Sequence, residues 1–289
     1  MMKKLRLLLC IVLVLACTST HAQSKTDQIN ALVTMFHEYN QFTGSILVTE
    51  NGKVIYRKGF GLANRETNTP NEPATRHRLA SVTKQFTSMA IMQLVAEGKL
   101  RLDVPITTYL PAYPAATGKQ ITIHHLLTHT SGIPNYTSFE NYREVMVKSM
   151  TPAEIVKLFS SEPLEFIPGE KYAYSNSGYV LLGYIIETVT GKSYAEVVQQ
   201  NIFVPLRMIN SGYERAEDDA PNKAIGYNQT GPMFEPAPFI DMSIPFAAGA
   251  LFSSVEDMNL WNEALYTEKL LPKKYLDMVF TPYISSYGT

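Results

Sequence analysis

The chain has 289 residues, of which 45% are hydrophobic and 18% charged, with a formal charge of −1. That balance is too apolar for a disordered chain, and no fixed repeat or heptad marks a solenoid or coiled coil. Near-neutral charge excludes a strongly basic surface and makes nucleic acid an unexpected partner. No apolar run reaches the roughly 20 residues that a membrane-spanning helix needs.

Lys3, Lys4 and Arg6 precede an unbroken apolar stretch from Leu7 to Ala16, the order of an export signal. Thr20-His21-Ala22 puts small residues at the cleavage positions. Residues 1–22 are therefore read as a signal peptide and 23–289 as one domain. Val14-Leu15-Ala16-Cys17 offers an alternative, a lipobox in which Cys17 carries a lipid anchor. Either route implies an exported protein, periplasmic or secreted in the first case and membrane-anchored in the second. Cleavage before Gln23 removes three positive charges and leaves about −4. Cys10 and Cys17 are the only cysteines. A mature domain without them has neither a disulfide nor a thiolate metal site, and its stability must come from an apolar core.

Along the domain, Ile29, Leu32, Val33 and Phe36 recur at helical spacing and predict a helix over 28–39. Residues 45–49 and 54–60 are β-branched and aromatic and flank Asn51-Gly52, the signature of a type I′ hairpin. The polar stretch 64–76 reads as a loop. Residues 81–97 form a helix apolar on most sides, which is expected at the centre of a lobe and is stopped by Gly98. Further helices are predicted over 123–128, 151–159, 178–190, 194–202, 255–266 and 272–279, with Thr151 capping the second and Pro152 in its first turn. Residues 211–240, rich in Pro, Gly and charge, read as an extended surface excursion. The pattern implies an α/β domain from which a large helical lobe has grown. A hairpin alone is marginal, and three or more strands make a stable sheet. No later strand is predicted, so the chain is expected to be incomplete at its C-terminus.

Ser81-Val82-Thr83-Lys84 is the only Ser-x-x-Lys. About one such match is expected by chance, so its placement matters more than its existence. Residues i and i+3 share a helix face, which brings the amine within reach of the hydroxyl. A helix N-terminus stabilises developing negative charge, and a lysine in apolar surroundings loses its proton readily. Tyr174-Ser175-Asn176, the only Tyr-x-Asn, follows Pro168-Gly169 in a turn-like segment able to project side chains into a cleft. A phenol beside a cation is a plausible proton shuttle, and an Asn side chain can hold a substrate amide.

These motifs and the segments around them resemble the serine β-lactamase and penicillin-binding-protein superfamily, closest to its class C β-lactamase and D-alanyl-D-alanine carboxypeptidase branch. The likeness extends through residues 44–48 and 59–61, the run Ile121 to Ile133, the run Pro168 to Tyr179, and 248–254. It implies a β-lactamase/transpeptidase-like fold, an antiparallel sheet flanked by helices with a large all-helical lobe. It also implies a serine hydrolase that acts through an acyl-enzyme on an amide, ester or β-lactam bond. Ser81 would be the nucleophile, Lys84 and Tyr174 would share the base and acid roles, and Asn176 would orient the substrate. No cofactor or metal is implied. The partner would be a small molecule or peptide, such as a β-lactam or a peptidoglycan stem peptide. The alternatives within the resemblance are a D-alanyl-D-alanine carboxypeptidase and a catalytically inactive cell-wall-binding relative. The family's third motif, Lys-Thr-Gly or His-x-Gly, and the C-terminal strands that carry it have no counterpart here. The segment alone is therefore expected to be inactive.

Other patterns carry less. His125 and His129, four apart beside His124, have no acidic third ligand and read as cap and loop residues. Gly59-Phe60-Gly61 lacks the third glycine of a dinucleotide site, and no Gly-x-Ser-x-Gly marks a nucleophile elbow. Glu162 and Glu165 precede the Tyr174 motif and receive no catalytic role. Asn135-Tyr136-Thr137 is a glycosylation pattern without meaning in a protein of bacterial type.

Overall fold

A computed structural model describes residues 23–215, 222–231 and 233–283. Residues 1–22, expected from sequence to be an export signal and holding Cys10 and Cys17, and residues 284–289 lie outside them. Helix α1 (Lys25–Glu38) begins where the Ser24 hydroxyl accepts the Asp27 backbone N–H. Strands β1 (Gly44–Glu50) and β2 (Lys53–Phe60) pair antiparallel around Asn51 and Gly52, at φ 50° and 72°. Those are the left-handed positions a two-residue I′ turn demands. Val33 of α1 packs on Tyr56 and Phe60 to form a satellite core over one face of the hairpin. Among the described residues this sheet has two strands. The predicted loop 64–76 contains a short strand: β3 (Leu62–Asn64) pairs with β4 (Thr69–Pro70). The Asn64 side chain caps the turn at the Thr67 N–H, and Asn68 turns at φ 54°.

Strand β5 (His77–Arg78) leads into helix α2 (Thr83–Ala96). The predicted helix starts at Ser81, but Ala80–Val82 forms a separate 3-10 turn and the α-helix begins two residues later. The left-handed φ of Ala80, 45°, breaks the helical ladder at that point. Downstream lie α3 (Ile123–Leu127), α4 (Pro152–Lys157) and α5 (Asn176–Thr190). Thr151 caps α4 in a full capping box with Glu154 and with Pro in the first turn, as its sequence dictates. Helix α5 starts two residues before the predicted Gly178, because Ser175 caps the Gly178 N–H and draws Asn176 into the first turn. Helix α6 (Tyr194–Val198) passes into a π turn over Gln199–Phe203 and does not continue as one regular helix to 202.

Strand β6 (Gly212–Tyr213) and the hairpin of β7 (Tyr227–Thr230) with β8 (Met233–Pro236) give the 211–240 excursion some structure of its own. Helix α7 (Phe246–Gly249), strand β9 (Leu251–Ser253), and helices α8 (Val255–Ala264) and α9 (Lys273–Phe280) follow. The main core is the helical lobe, in which Phe86, Ile91, Leu94, Val180, Leu181, Ile185 and Phe203 are buried. Each such side chain contributes about 1.5–3 kcal/mol by leaving water. Trp261 of α8 lies against Phe86 with ring centroids 4.3 Å apart. Helices α5 and α7 touch at Gly183, where a Cβ would lie 2.3 Å from the Ala247 Cβ.

Strands β5, β9 and β6 form one antiparallel sheet in that order, tying the segment before Ser81 to the segment after Ala248. Two hydrogen bonds reinforce this tie. The Leu79 N–H donates to the Leu251 carbonyl at 2.8 Å, and the Leu251 N–H to the Thr83 hydroxyl at 3.2 Å. No helix among the described residues is long and apolar enough to cross a membrane.

Candidate active site

Ser81 sits on the exposed 3-10 turn, directly after Ala80. An alanine at φ 45° costs about 1–3 kcal/mol. The bonds that tie this turn to β9 hold it in place. Lys84, one helical turn on, points back into the lobe and is only 6% exposed. All three of its N–H directions are used: to Ser81 Oγ at 3.2 Å, to Asn176 Oδ1 at 2.8 Å and to the Ala248 carbonyl at 2.9 Å. Its Nζ also lies over the rings of Tyr174 and Tyr179, at 4.8 and 5.4 Å from their centroids. Burial lowers the ammonium from 10.5 to about 8. Once the amine is neutral, it has two hydrogens for Asn176 and Ala248, so its lone pair faces Ser81.

Tyr174, 42% exposed, donates its hydroxyl to Ser81 Oγ at 2.7 Å. The serine oxygen thus lies between an amine and a phenol contributed by separate segments. Asn176, in the first turn of α5, accepts from Lys84 and donates Nδ2–H to Thr137 Oγ1 at 3.1 Å, while its backbone N–H donates to Asn135 Oδ1 at 3.1 Å. One Nδ2 hydrogen is left over for a substrate. Ser81, Lys84, Tyr174 and Asn176, singled out from sequence, are therefore brought together.

Ser81 and Asn176 line a cavity of about 190 Å³ together with Arg78, Tyr136, Tyr142, Met242 and Pro245. Arg78 donates through Nε and Nη2 to Glu214 at 2.8 and 2.7 Å, and Lys223 pairs with the same carboxylate. Two cations thus share one buried carboxylate. Among the described residues of the 211–240 excursion, Ile240 lines the cavity. Met242 to Gly249 does most of that work.

Several contributors escaped the sequence reading. Asn135 and Thr137, dismissed as a stray glycosylation pattern, hold Asn176 from both sides. The Ala248 carbonyl is a backbone group, and only the small residues of Ala248-Gly249-Ala250 hint at so close an approach. The histidines behave as cap and loop residues. His125 Nδ1 accepts from the Thr122 N–H in a capping box on α3, and His129 Nδ1 accepts from the Ser175 N–H. Among the described residues no three His, Cys, Asp or Glu side chains cluster as metal ligands would.

A serine flanked by a buried lysine and a tyrosine, at the edge of a helical lobe packed on antiparallel strands, is the arrangement of a serine acyl-transfer site. Comparison with known proteins agrees. The profile described as Beta-lactamase matches residues 29–282, and the chain belongs to this family of β-lactamase/transpeptidase-like serine hydrolases. It is 33% identical over 267 residues to the "Putative penicillin-binding protein PbpX" of Bacillus subtilis (strain 168), covering 92% of this chain but 66% of that protein. The chain thus spans just under two thirds of that relative's length. The crystal structure of a penicillin-binding protein from Bacillus halodurans superposes with a TM-score of 0.77 at 32% identity, over 88% of this chain and 79% of the other. The D-amino acid amidase of Ochrobactrum anthropi gives 0.73 at 29% identity, over 86% and 73%. The fold is accordingly that of β-lactamases and penicillin-binding proteins. The comparisons do not single out the class C branch.

Proposed function

We propose that this domain is the catalytic unit of an exported serine hydrolase that cleaves amide, ester or β-lactam bonds through an acyl-enzyme on Ser81. The observation that carries this reading is the position of Ser81 Oγ, 3.2 Å from Lys84 Nζ and 2.7 Å from the Tyr174 hydroxyl. In acylation, Ser81 Oγ bonds to the substrate carbonyl carbon while its proton passes to the neutral Lys84 amine. The carbonyl oxygen becomes an oxyanion, with the Ser81 backbone N–H at the head of the α2 segment as one donor. The carbon–nitrogen bond then breaks. The leaving nitrogen takes the Tyr174 proton, and Lys84 reprotonates the phenol. Water attacks the acyl carbon in the second half, and Ser81 leaves as the alcohol.

Asn176 uses its remaining Nδ2 hydrogen to hold the carbonyl of the substrate's amide. The likeness to penicillin-binding proteins and to a D-amino acid amidase supports peptide and D-configured amide substrates beside β-lactams. Residues 1–22 would direct export, with Cys17 as the lipid-bearing alternative. The test is covalent labelling of the intact protein with a fluorophosphonate and with a fluorescent penicillin. Labelling of the wild type and its loss in Ser81→Ala is expected. Labelling that persists in Ser81→Ala, or a wild type blank to both probes, overturns the reading. A burst on a β-lactam without turnover would mark a D,D-peptidase, and sustained turnover a β-lactamase.

A further inference from the structure

We propose that His129 is a positioning residue that aims the Tyr174 phenol at Ser81, a role that rests on the acyl-transfer reading above. Two backbone contacts and a ring stack converge on it. Its carbonyl accepts the Ala173 N–H at 2.9 Å, and its Nδ1 accepts the Ser175 N–H at 3.2 Å. One residue therefore grips the chain on both sides of Tyr174. Its imidazole lies under the Tyr174 ring, with centroids 4.6 Å apart and planes tilted by 31°. On the other side it lies 5.1 Å from Tyr179, whose hydroxyl is anchored on the Leu127 carbonyl. The half-exposed phenol is thus backed by a stack rooted in the helical lobe.

His129 reaches this place because it leaves the end of α3 at φ 56°, a left-handed conformation uncommon for a residue with a side chain. The Ser175 N–H can donate to Nδ1 only while that nitrogen carries no proton. The groups facing the ring are Lys84, Tyr172, Tyr174 and Tyr179. Burial first, and the Lys84 charge second, push the imidazole down to about 4, so it remains an acceptor near neutrality. A packing residue would need neither the acceptor nor the backbone turn.

The experiment separates acceptor from ring and both from bulk packing. His129→Phe keeps a flat ring and removes the acceptor. His129→Asn places an amide oxygen where Nδ1 stood and tolerates the left-handed turn. Acylation by His129→Phe should fall about ten- to a hundredfold in rate with little change in substrate affinity, and His129→Asn should recover most of it. In a Tyr174→Phe background, His129→Phe should cost less than about twofold more, since the group it positions is gone. Hydrogen exchange should be at least about tenfold faster at the Ser175 amide of His129→Phe and unchanged at Ala173, which is held by backbone alone. Equal losses in both backgrounds, or an unchanged Ser175 amide, would overturn the proposal. Should His129→Phe not fold, loss of Ser175 protection in His129→Asn would overturn it in the same way. A wild type that no acylating probe labels would strike the proposed reaction, and amide exchange would still decide the grip on residues 173–175.

Discussion

Lys84 offers the sharpest test of the chemistry, because burial sets how much of it is neutral. With the ammonium at about 8, roughly one amine in ten is free at pH 7 and nine in ten at pH 9. Acylation, read as kcat/KM for an activated ester or as the rate of fluorophosphonate labelling, should rise about tenfold over that interval and then level off. A solvated lysine at 10.5 would instead give close to a hundredfold rise with no plateau below pH 10. The same burial links to stability. Between about 8 and 10.5 the unfolded chain holds this proton and the folded chain does not, so raising pH stabilises the folded state. The full effect is about 3 kcal/mol, and it is absent as a benefit below pH 8, where both states are charged. Lys84→Met removes the titration. The difference between its denaturation profile and that of wild type should therefore change with pH over this window alone, which also cancels the buried tyrosines. A log-linear climb in acylation through pH 10, or a stability difference flat from 7 to 10, would refute the reasoning.

Three further expectations concern the frame. Gly183→Ala drives a methyl into Ala247 and Phe246, at 2.3 and 2.5 Å. It should cost about 1–3 kcal/mol by thermal melting and reduce acylation too, because α7 carries the carbonyl that holds Lys84. Glu214 is pushed up by burial but held below the usual carboxylate range by Arg78 and Lys223. Its contribution is complete above the unfolded value and lost as pH falls through the folded one, so Glu214→Gln should destabilise by about 2–3 kcal/mol at pH 7 and by less in acid. The single tryptophan, Trp261, is 2% exposed against Phe86. Its emission should shift to the red in one step with denaturant, and Trp261→Ala should cost about 3–5 kcal/mol.

What was readable in the sequence depends on how local the causes are. The Asn51-Gly52 hairpin, the Thr151 cap and the largely apolar α2 are written in adjacent residues, and they appear where expected. The starts of α2 and α5 are displaced by two residues each: Leu79 and Thr83, on either side of the Ala80–Val82 turn, are tied to Leu251 of β9, and Ser175 caps the helix ahead of Gly178. Ser81, Lys84, Tyr174 and Asn176 were legible through the resemblance of their motifs and the segments around them to a known family, since the i+3 and i+2 spacings alone occur about once by chance. Asn135, Thr137 and the Ala248 carbonyl left none, since their value lies in which distant atom they meet. His129 was seen and set aside as a loop histidine. Its grip on residues 173 and 175 is a tertiary fact.

The Ala248 carbonyl meets Lys84 across 164 residues of chain, and Tyr174 meets Ser81 across 93. Closing loops of that length costs entropy before any contact is made. A chain still threading or half collapsed therefore carries a serine no more reactive than any other and a lysine charged like any on a surface. On the proposed chemistry, reactivity arises only once both closures are made, so covalent labelling of Ser81 would double as a count of molecules that have folded this far.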